Sequence, residues 1–166
     1  MPRREIQFVS WNYYHCFNRS KDKQTIFHEH KDYERFYKEM LMFEEDLKKN
    51  WFRIKAFCIM PNHFHLLLSP GTEKDIPLFM QKLQQGYAKY YNIKYSSPGT
   101  IWQGRYKVKH IDSDAYMRAV VNYIQKNSEK HLKIPYQDWR YRSDVKINWN
   151  YEDMMDELEE NELEIW

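Results

Sequence analysis

Residues 51–69 run Trp51-Phe52-Arg53-Ile54-Lys55-Ala56-Phe57-Cys58-Ile59-Met60-Pro61-Asn62-His63-Phe64-His65-Leu66-Leu67-Leu68-Ser69. Trp51–Met60 is rich in β-favouring residues and reads as a strand, Pro61-Asn62 breaks it, and His63–Ser69 reads as another. The two predict antiparallel neighbours in a sheet. Side chains alternate along a strand, so His63 and His65 go to one face, and Phe64, Leu66 and Leu68 to the other, into a core. Two imidazoles side by side can hold one divalent ion. An unsatisfied ring nitrogen beside such a core costs about 1–3 kcal/mol, which argues for a partner of some kind. Alone, the pair is also readable as one packed and one hydrogen-bonded histidine.

Outward from this pair the pattern alternates with helices. Ile6–Asn18 predicts a first strand, closed by the polar turn Arg19-Ser20-Lys21-Asp22. Lys31–Lys49 sets Tyr33, Phe36, Tyr37, Met40, Leu41, Phe43 and Leu47 at helical spacing among charges, with Asn50 as the stop. Asp75–Ile93 predicts a second helix, with Leu78, Phe79, Leu83, Tyr87 and Tyr90 on its core side. After the loop Ser96-Ser97-Pro98-Gly99, Gly104–Ile111 predicts a fourth strand, and Ser113 or Asp112 caps a third helix reaching about Asn127. The order β-α-β-β-α-β plus a helix places the chain in the α+β class, as a ferredoxin-like split βαβ antiparallel sheet with an appended helix. Beyond Asn127 the chain reads as irregular through Trp139-Arg140-Tyr141-Arg142, and from about Glu152 its composition turns helical.

Length and charge frame the partners. With 166 residues, 42% of them hydrophobic and 30% charged, the chain suits one domain with a core of its own. Residues 151–166 hold eight of the 24 acids and none of the 26 bases, which leaves +10 on residues 1–150 and −8 on the tail. We therefore expect a single domain over 1–150 and an acidic tail over 151–166. Clustered Lys and Arg release counterions from a phosphate backbone, so the basic body points to a polyanion. Cys16 and Cys58 lack metal-ligand spacing and read as reduced core residues. No signal-peptide core follows Met1, and no apolar run nears the roughly 18 residues of a membrane span, so a cytoplasmic protein without membrane insertion is expected.

Two further groups carry chemistry. In the third helix Tyr123 and Asn127 stand four apart on one face, beside the stripe Met117, Val121 and Ile124. A tyrosine can act as a nucleophile and an asparagine offers an amide oxygen to a cation, although most of fourteen tyrosines must simply pack. In the fourth strand Arg105, Lys107 and Lys109 share one face and Tyr106, Val108 and His110 the other, a phosphate-tracking stripe or an ordinary solvated face. The stretch Gln84–Lys89 of the second helix could line a groove.

Taken together these blocks resemble the single-tyrosine HUH transposases, of the insertion-sequence type, and within them the REP-associated tyrosine transposases. The likeness covers most of residues 6 to 143. It rests on Tyr14-His15-Cys16-Phe17-Asn18-Arg19-Ser20, Thr25-Ile26-Phe27 with Asp32-Tyr33, and Met60-Pro61-Asn62-His63-Phe64-His65-Leu66-Leu67-Leu68. It continues through Thr100-Ile101-Trp102-Gln103-Gly104-Arg105-Tyr106-Lys107, Tyr123-Ile124-Gln125-Lys126-Asn127 and Asp138-Trp139-Arg140-Tyr141. The chain departs from the family in having Ser128 where proline usually follows the asparagine, and Ser20 where glycine is common.

The resemblance implies a metal-dependent endonuclease and strand transferase acting on single-stranded DNA at hairpin-forming palindromic repeats. It implies His63, His65 and Asn127 as metal ligands, Tyr123 as nucleophile, and a 5′-phosphotyrosine intermediate. It adds Arg19, Trp102 and Gln103 to Arg105, Lys107 and Lys109 as DNA contacts, with Trp102 stacking on an unpaired base. It points to Mg²⁺ or Mn²⁺, whereas two imidazoles by themselves favour softer ions. A prokaryotic, nucleoid-associated protein is expected on the same ground, with a monomer favoured and a dimer as the alternative. The rival readings are a domesticated, non-catalytic hairpin-binding protein and a histidine-triad hydrolase. The latter would need a third alternating histidine where Leu67 stands.

Overall fold

The computed structural model describes residues 6–134 and 139–143; the acidic tail of 151–166 lies outside them. Four strands, β1 (Tyr13–Arg19), β2 (Arg53–Met60), β3 (His63–Ser69) and β4 (Lys107–Ile111), form one sheet in the order β2-β3-β1-β4, every pairing antiparallel. The helices are α1 (His30–Leu47), α2 (Asp75–Lys94), α3 (Asp114–Gln125) and α4 (Asn127–Leu132). This is the ferredoxin-like split βαβ arrangement with α3 appended after the last strand, as the pattern predicts.

The sheet separates two cores. On one face Cys16, Ile59, Phe64, Leu66 and Leu68 pack against Phe36 and Met40 of α1 and Phe79, Leu83 and Tyr87 of α2. On the other face Ala56, Cys58, Met60, Leu67 and Ile111 pack against Val120, Val121 and Ile124 of α3. Strand alternation therefore puts Phe64, Leu66 and Leu68 under α1 and α2, and leaves His63 and His65 on the α3 side.

Several expected boundaries move for local reasons. β1 begins at Tyr13 rather than Ile6, because Trp11 takes a left-handed backbone (φ 67) and its N–H donates to Pro70 O at 2.9 Å. Trp51 likewise ends the α1 region in a left-handed conformation (φ 69), so β2 starts at Arg53. β4 starts at Lys107, three residues later than expected. In α2, Leu78 is 40% exposed and Ile76, Met80 and Tyr91 take the core side in its place. Of the two candidate caps for α3, Ser113 accepts the Tyr116 N–H at 3.1 Å. The chain after Asn127 is not irregular but begins α4, following a break at Lys126 (φ −91, ψ 9). Residues 139–143 lie along the β2 edge, with Ile59 N–H donating to Tyr141 O, Ser143 N–H to Phe57 O and the Trp139 indole to Ile59 O. That segment covers an otherwise open strand edge, while Tyr141 stacks on Tyr33 at 3.9 Å between centroids.

Candidate active site

The α3 face of the sheet carries a cluster of polar rings in an otherwise apolar layer. β3 supplies His63 (6% exposed) and His65 (no exposure), and α3 and α4 supply Tyr123 and Asn127 across from them. His63 Nε2 lies 2.9 Å from Asn127 Oδ1, and the His65 and Tyr123 rings meet edge to face at 5.3 Å. The structure thus brings all four expected residues to one place. The break at Lys126 ends α3 and starts α4 at Asn127, which is fully buried.

The pattern of satisfied and orphaned atoms fits a cation-binding set. His63 faces an oxygen at each nitrogen: Asn62 Oδ1 lies 2.6 Å from Nδ1 and Asn127 Oδ1 2.9 Å from Nε2. Burial, only partly opposed by Asn127, holds its pKa down at about 4, so near neutrality the ring has one proton and one lone pair. One of those oxygens must therefore meet a lone pair in this orientation of the amide, a clash that a cation between them removes. His65 Nε2 and Asn127 Nδ2 are buried without hydrogen-bond partners. Among the described residues no group of three or more His, Cys, Asp or Glu could hold a metal; the donor set here is two imidazoles and an amide oxygen.

Burial also raises the Tyr123 phenol above its ordinary value. Asn127 sits close enough to oppose that rise, although its geometry falls short of a hydrogen bond to the buried hydroxyl, and Cys58 adds slightly to it. As it stands the group is a protonated phenol, held in place between the histidine layer and the apolar stripe of α3.

Sequence reasoning missed a third imidazole. His15 of β1 is fully buried on the same face, with Nε2 3.1 Å from His65 Nδ1. Its one available signal was its odd position in an apolar strand. Only the β1–β3 register, which pairs Phe17 with His65, shows that the two rings meet. Burial, helped by the Lys109 charge, takes its pKa to about 3. His131 of α4 is a second addition, its ring 5.1 Å from that of His63.

The expected DNA contacts divide into separate places. Arg19 lines a small pocket of about 140 Å³ with Lys23, Asn62, His63 and His131, and its guanidinium donates to Gln103 Oε1. Lys107 and Lys109 stand on the histidine face, opposite Phe17 and His15 in the register. Arg105 precedes β4 and instead borders α2. Trp102 is 6% exposed, packed edge-on against Phe64 and hydrogen-bonded through its indole to Gln84 O at 2.9 Å. Its ring packs into the core and borders the groove beside α2.

Residues 8–127 match the family model described as IS200-like transposase. Among solved structures, a REP-associated tyrosine transposase bound to a REP hairpin superposes with a TM-score of 0.70 and 17% identity, over 86% of this chain and 82% of that one. At that identity the likeness is one of fold. A protein of Deinococcus radiodurans R1 assigned as a transposase gives a TM-score of 0.46 at 19% identity, over 75% of this chain and 97% of the other. Among curated proteins nothing matches.

Proposed function

The chain belongs to the IS200-like transposase family, and from that premise we propose that it is a metal-dependent endonuclease and strand transferase of hairpin-bearing single-stranded DNA. The observation that carries the reading is the meeting of Tyr123 with His63, His65 and Asn127 on one buried polar face, with ring and amide atoms left unpaired. The hairpin bound to the structural neighbour supports a stem–loop as the recognised form.

In this reading His63 Nε2, His65 Nε2 and Asn127 Oδ1 hold a divalent ion, for which their nitrogen donors favour Mn²⁺ over Mg²⁺. Held there, such an ion would supply positive charge to a non-bridging phosphate oxygen and help orient the scissile phosphate. Tyr123 Oη attacks phosphorus: the Oη–P bond forms, the P–O3′ bond breaks, the phenol proton leaves, and the departing 3′-oxygen gains one. The bond energy stays in the 5′-phosphotyrosine, so a 3′-hydroxyl can reverse the step and join strands without ATP. Arg19, Lys107 and Lys109, beside the histidine face, supply the positive surface along which the phosphates run. Action as a monomer, with Tyr123 serving the histidines of its own chain, is part of this proposal.

The test is to incubate end-labelled stem–loop DNA carrying single-stranded flanks with the protein and Mn²⁺, then run a denaturing gel. A covalent adduct is expected that disappears in Tyr123→Phe and with chelator. Tight DNA binding with no adduct under any divalent ion would overturn the catalytic reading in favour of a hairpin-binding protein.

A further inference from the structure

Beyond the histidine face, a groove of about 550 Å³ opens between α2 and residues 100–106, bordered by Gln81, Gln84, Gln85, Thr100, Trp102 and Arg105 among others. That volume lies within the roughly 300–1,000 Å³ of small-ligand sites. The three glutamines stand at i, i+3 and i+4 and so share one face of α2. Gln84 is only 9% exposed, yet among the described residues its side-chain amide has no hydrogen-bond partner. Its backbone carbonyl is the atom in use, accepting from the Trp102 indole at 2.9 Å. None of its amide atoms is both fully buried and without a partner, so the little exposure Gln84 keeps lies at the groove, where the carboxamide offers a donor and an acceptor side by side.

The floor of the groove is fixed, and it joins the candidate active site. Trp102 is wedged among Phe36, Phe64 and Tyr87. Gly104 turns the chain at φ +95, and its carbonyl accepts from Asn18 Nδ2 at 3.0 Å. Between them Gln103 N–H donates to Arg19 O at 3.0 Å, and Arg19 borders the pocket beside His63. Arg19 and Gln103 thus link the segment at the floor of the groove to the pocket beside His63.

We infer that this groove is a subsite for an unpaired nucleobase of the DNA substrate, with Gln84, Gln81 and Gln85 reading the base edge and Arg105 meeting its phosphate. The inference deepens the function proposed above and rests on it. A base edge offers neighbouring donors and acceptors that a glutamine amide matches in pairs, and the apolar Met80 and Ala88 beside the amides suit the plane of the ring. Arg105 is the cation bordering the groove, which fits one phosphate rather than a duplex backbone.

The experiment uses Tyr123→Phe protein without metal, so that binding is measured apart from cleavage. The probe is a pool of single-stranded oligonucleotides with a fixed stem–loop and randomised unpaired flanks; the retained fraction is sequenced. One base at one flank position should be enriched by about tenfold, the lower range of a paired amide–base contact. Gln84→Leu should abolish that enrichment while keeping the thermal melting profile, and the exposed pair Gln81→Ala with Gln85→Ala should weaken it. If Gln84→Leu does not fold, that double variant decides alone. Absence of any enrichment by the parent protein, or identical enrichment in the folded variants, overturns the subsite. Failure of the wild-type protein to form an adduct would instead remove the catalytic reading and leave the enrichment standing.

Discussion

His15 has no solvent contact, and one of its nitrogens pairs with His65 while the other, Nδ1, is orphaned. With the His65 proton on Nδ1 and donated to His15 Nε2, His65 Nε2 keeps its lone pair, which is the tautomer a metal ligand needs. On the proposed role of His65 as a metal ligand, His15 would be a positioning residue acting through it. His15→Leu should weaken Mn²⁺ binding by roughly 10–100-fold, and His15→Gln, whose amide oxygen can accept the same proton, should recover part of it. Titration calorimetry of the DNA-free protein checks this; equal affinity in parent and His15→Leu would refute the role. The same burial sets an acid limit on stability. His15 and His63 have pKa values lowered to about 3 and about 4, and His65 well below 6.5, in each case first because burial disfavours the charged ring. Unfolded imidazoles bind protons at about 6.5, so the native state holds fewer protons below that pH and loses stability as acidity rises. Thermal melts of the metal-free protein should be level above about pH 6.5 and fall steadily toward about pH 4. A melting temperature unchanged across that window would contradict the neutral-histidine description.

One carboxylate ties the start of α1 to the end of α2. Asp32, in the first turn of α1, accepts from the backbone N–H groups of His28 and Glu29 and from Tyr95, Lys94 and Tyr90 of the far end of α2. Burial pushes its pKa up, but those donors outweigh it and hold the group at about 2. Asp32→Ala removes the cap and the tie together and should cost about 2 kcal/mol or more, the range of hydrogen bonds to a charged group. Chemical denaturation should show a lower midpoint with an unchanged slope; an unaltered midpoint would mean that α1 and α2 hold by apolar packing alone. Periodicity placed α1 and α2 to within a few residues, because an apolar stripe that long has one way to face a sheet. It misplaced the start of β1, where the left-handed Trp11 depends on Pro70, 59 residues away in sequence. It also missed α4, since six residues of polar sequence carry no apolar stripe of their own.

Across the whole chain, charge is divided by sequence position: +10 over residues 1–150 and −8 over 151–166. The basic body presents Arg19, Lys107 and Lys109 near the histidine face and Arg105 by the α2 groove. DNA affinity of such a surface falls steeply with salt. If the acidic tail competes with phosphate for it through long-range attraction, removing residues 151–166 should tighten DNA binding at low ionic strength. The gain should vanish near 1 M salt, where the Debye length shrinks to about 3 Å. Fluorescence anisotropy with a labelled stem–loop at both salt concentrations checks this, and equal affinity at low salt would rule the competition out. Among the described residues no helix is long and apolar enough to cross a membrane.

What the sequence by itself determined was local in origin: strand alternation that separates His63 and His65 from Phe64, Leu66 and Leu68, helical spacing that pairs Tyr123 with Asn127, and the order of elements. Each follows from backbone periodicity, which neighbouring residues suffice to specify. Tertiary structure alone decided the contacts between distant segments. It set His15 against His65 through the β1–β3 register, packed the Trp102 ring into the core, and turned Gln84 into a groove shared with Arg105. Register, burial and the partner across a groove depend on residues fifty or more apart in the chain for His15, and on how α2 meets the 100–106 segment for the rest, so no window of sequence contains them.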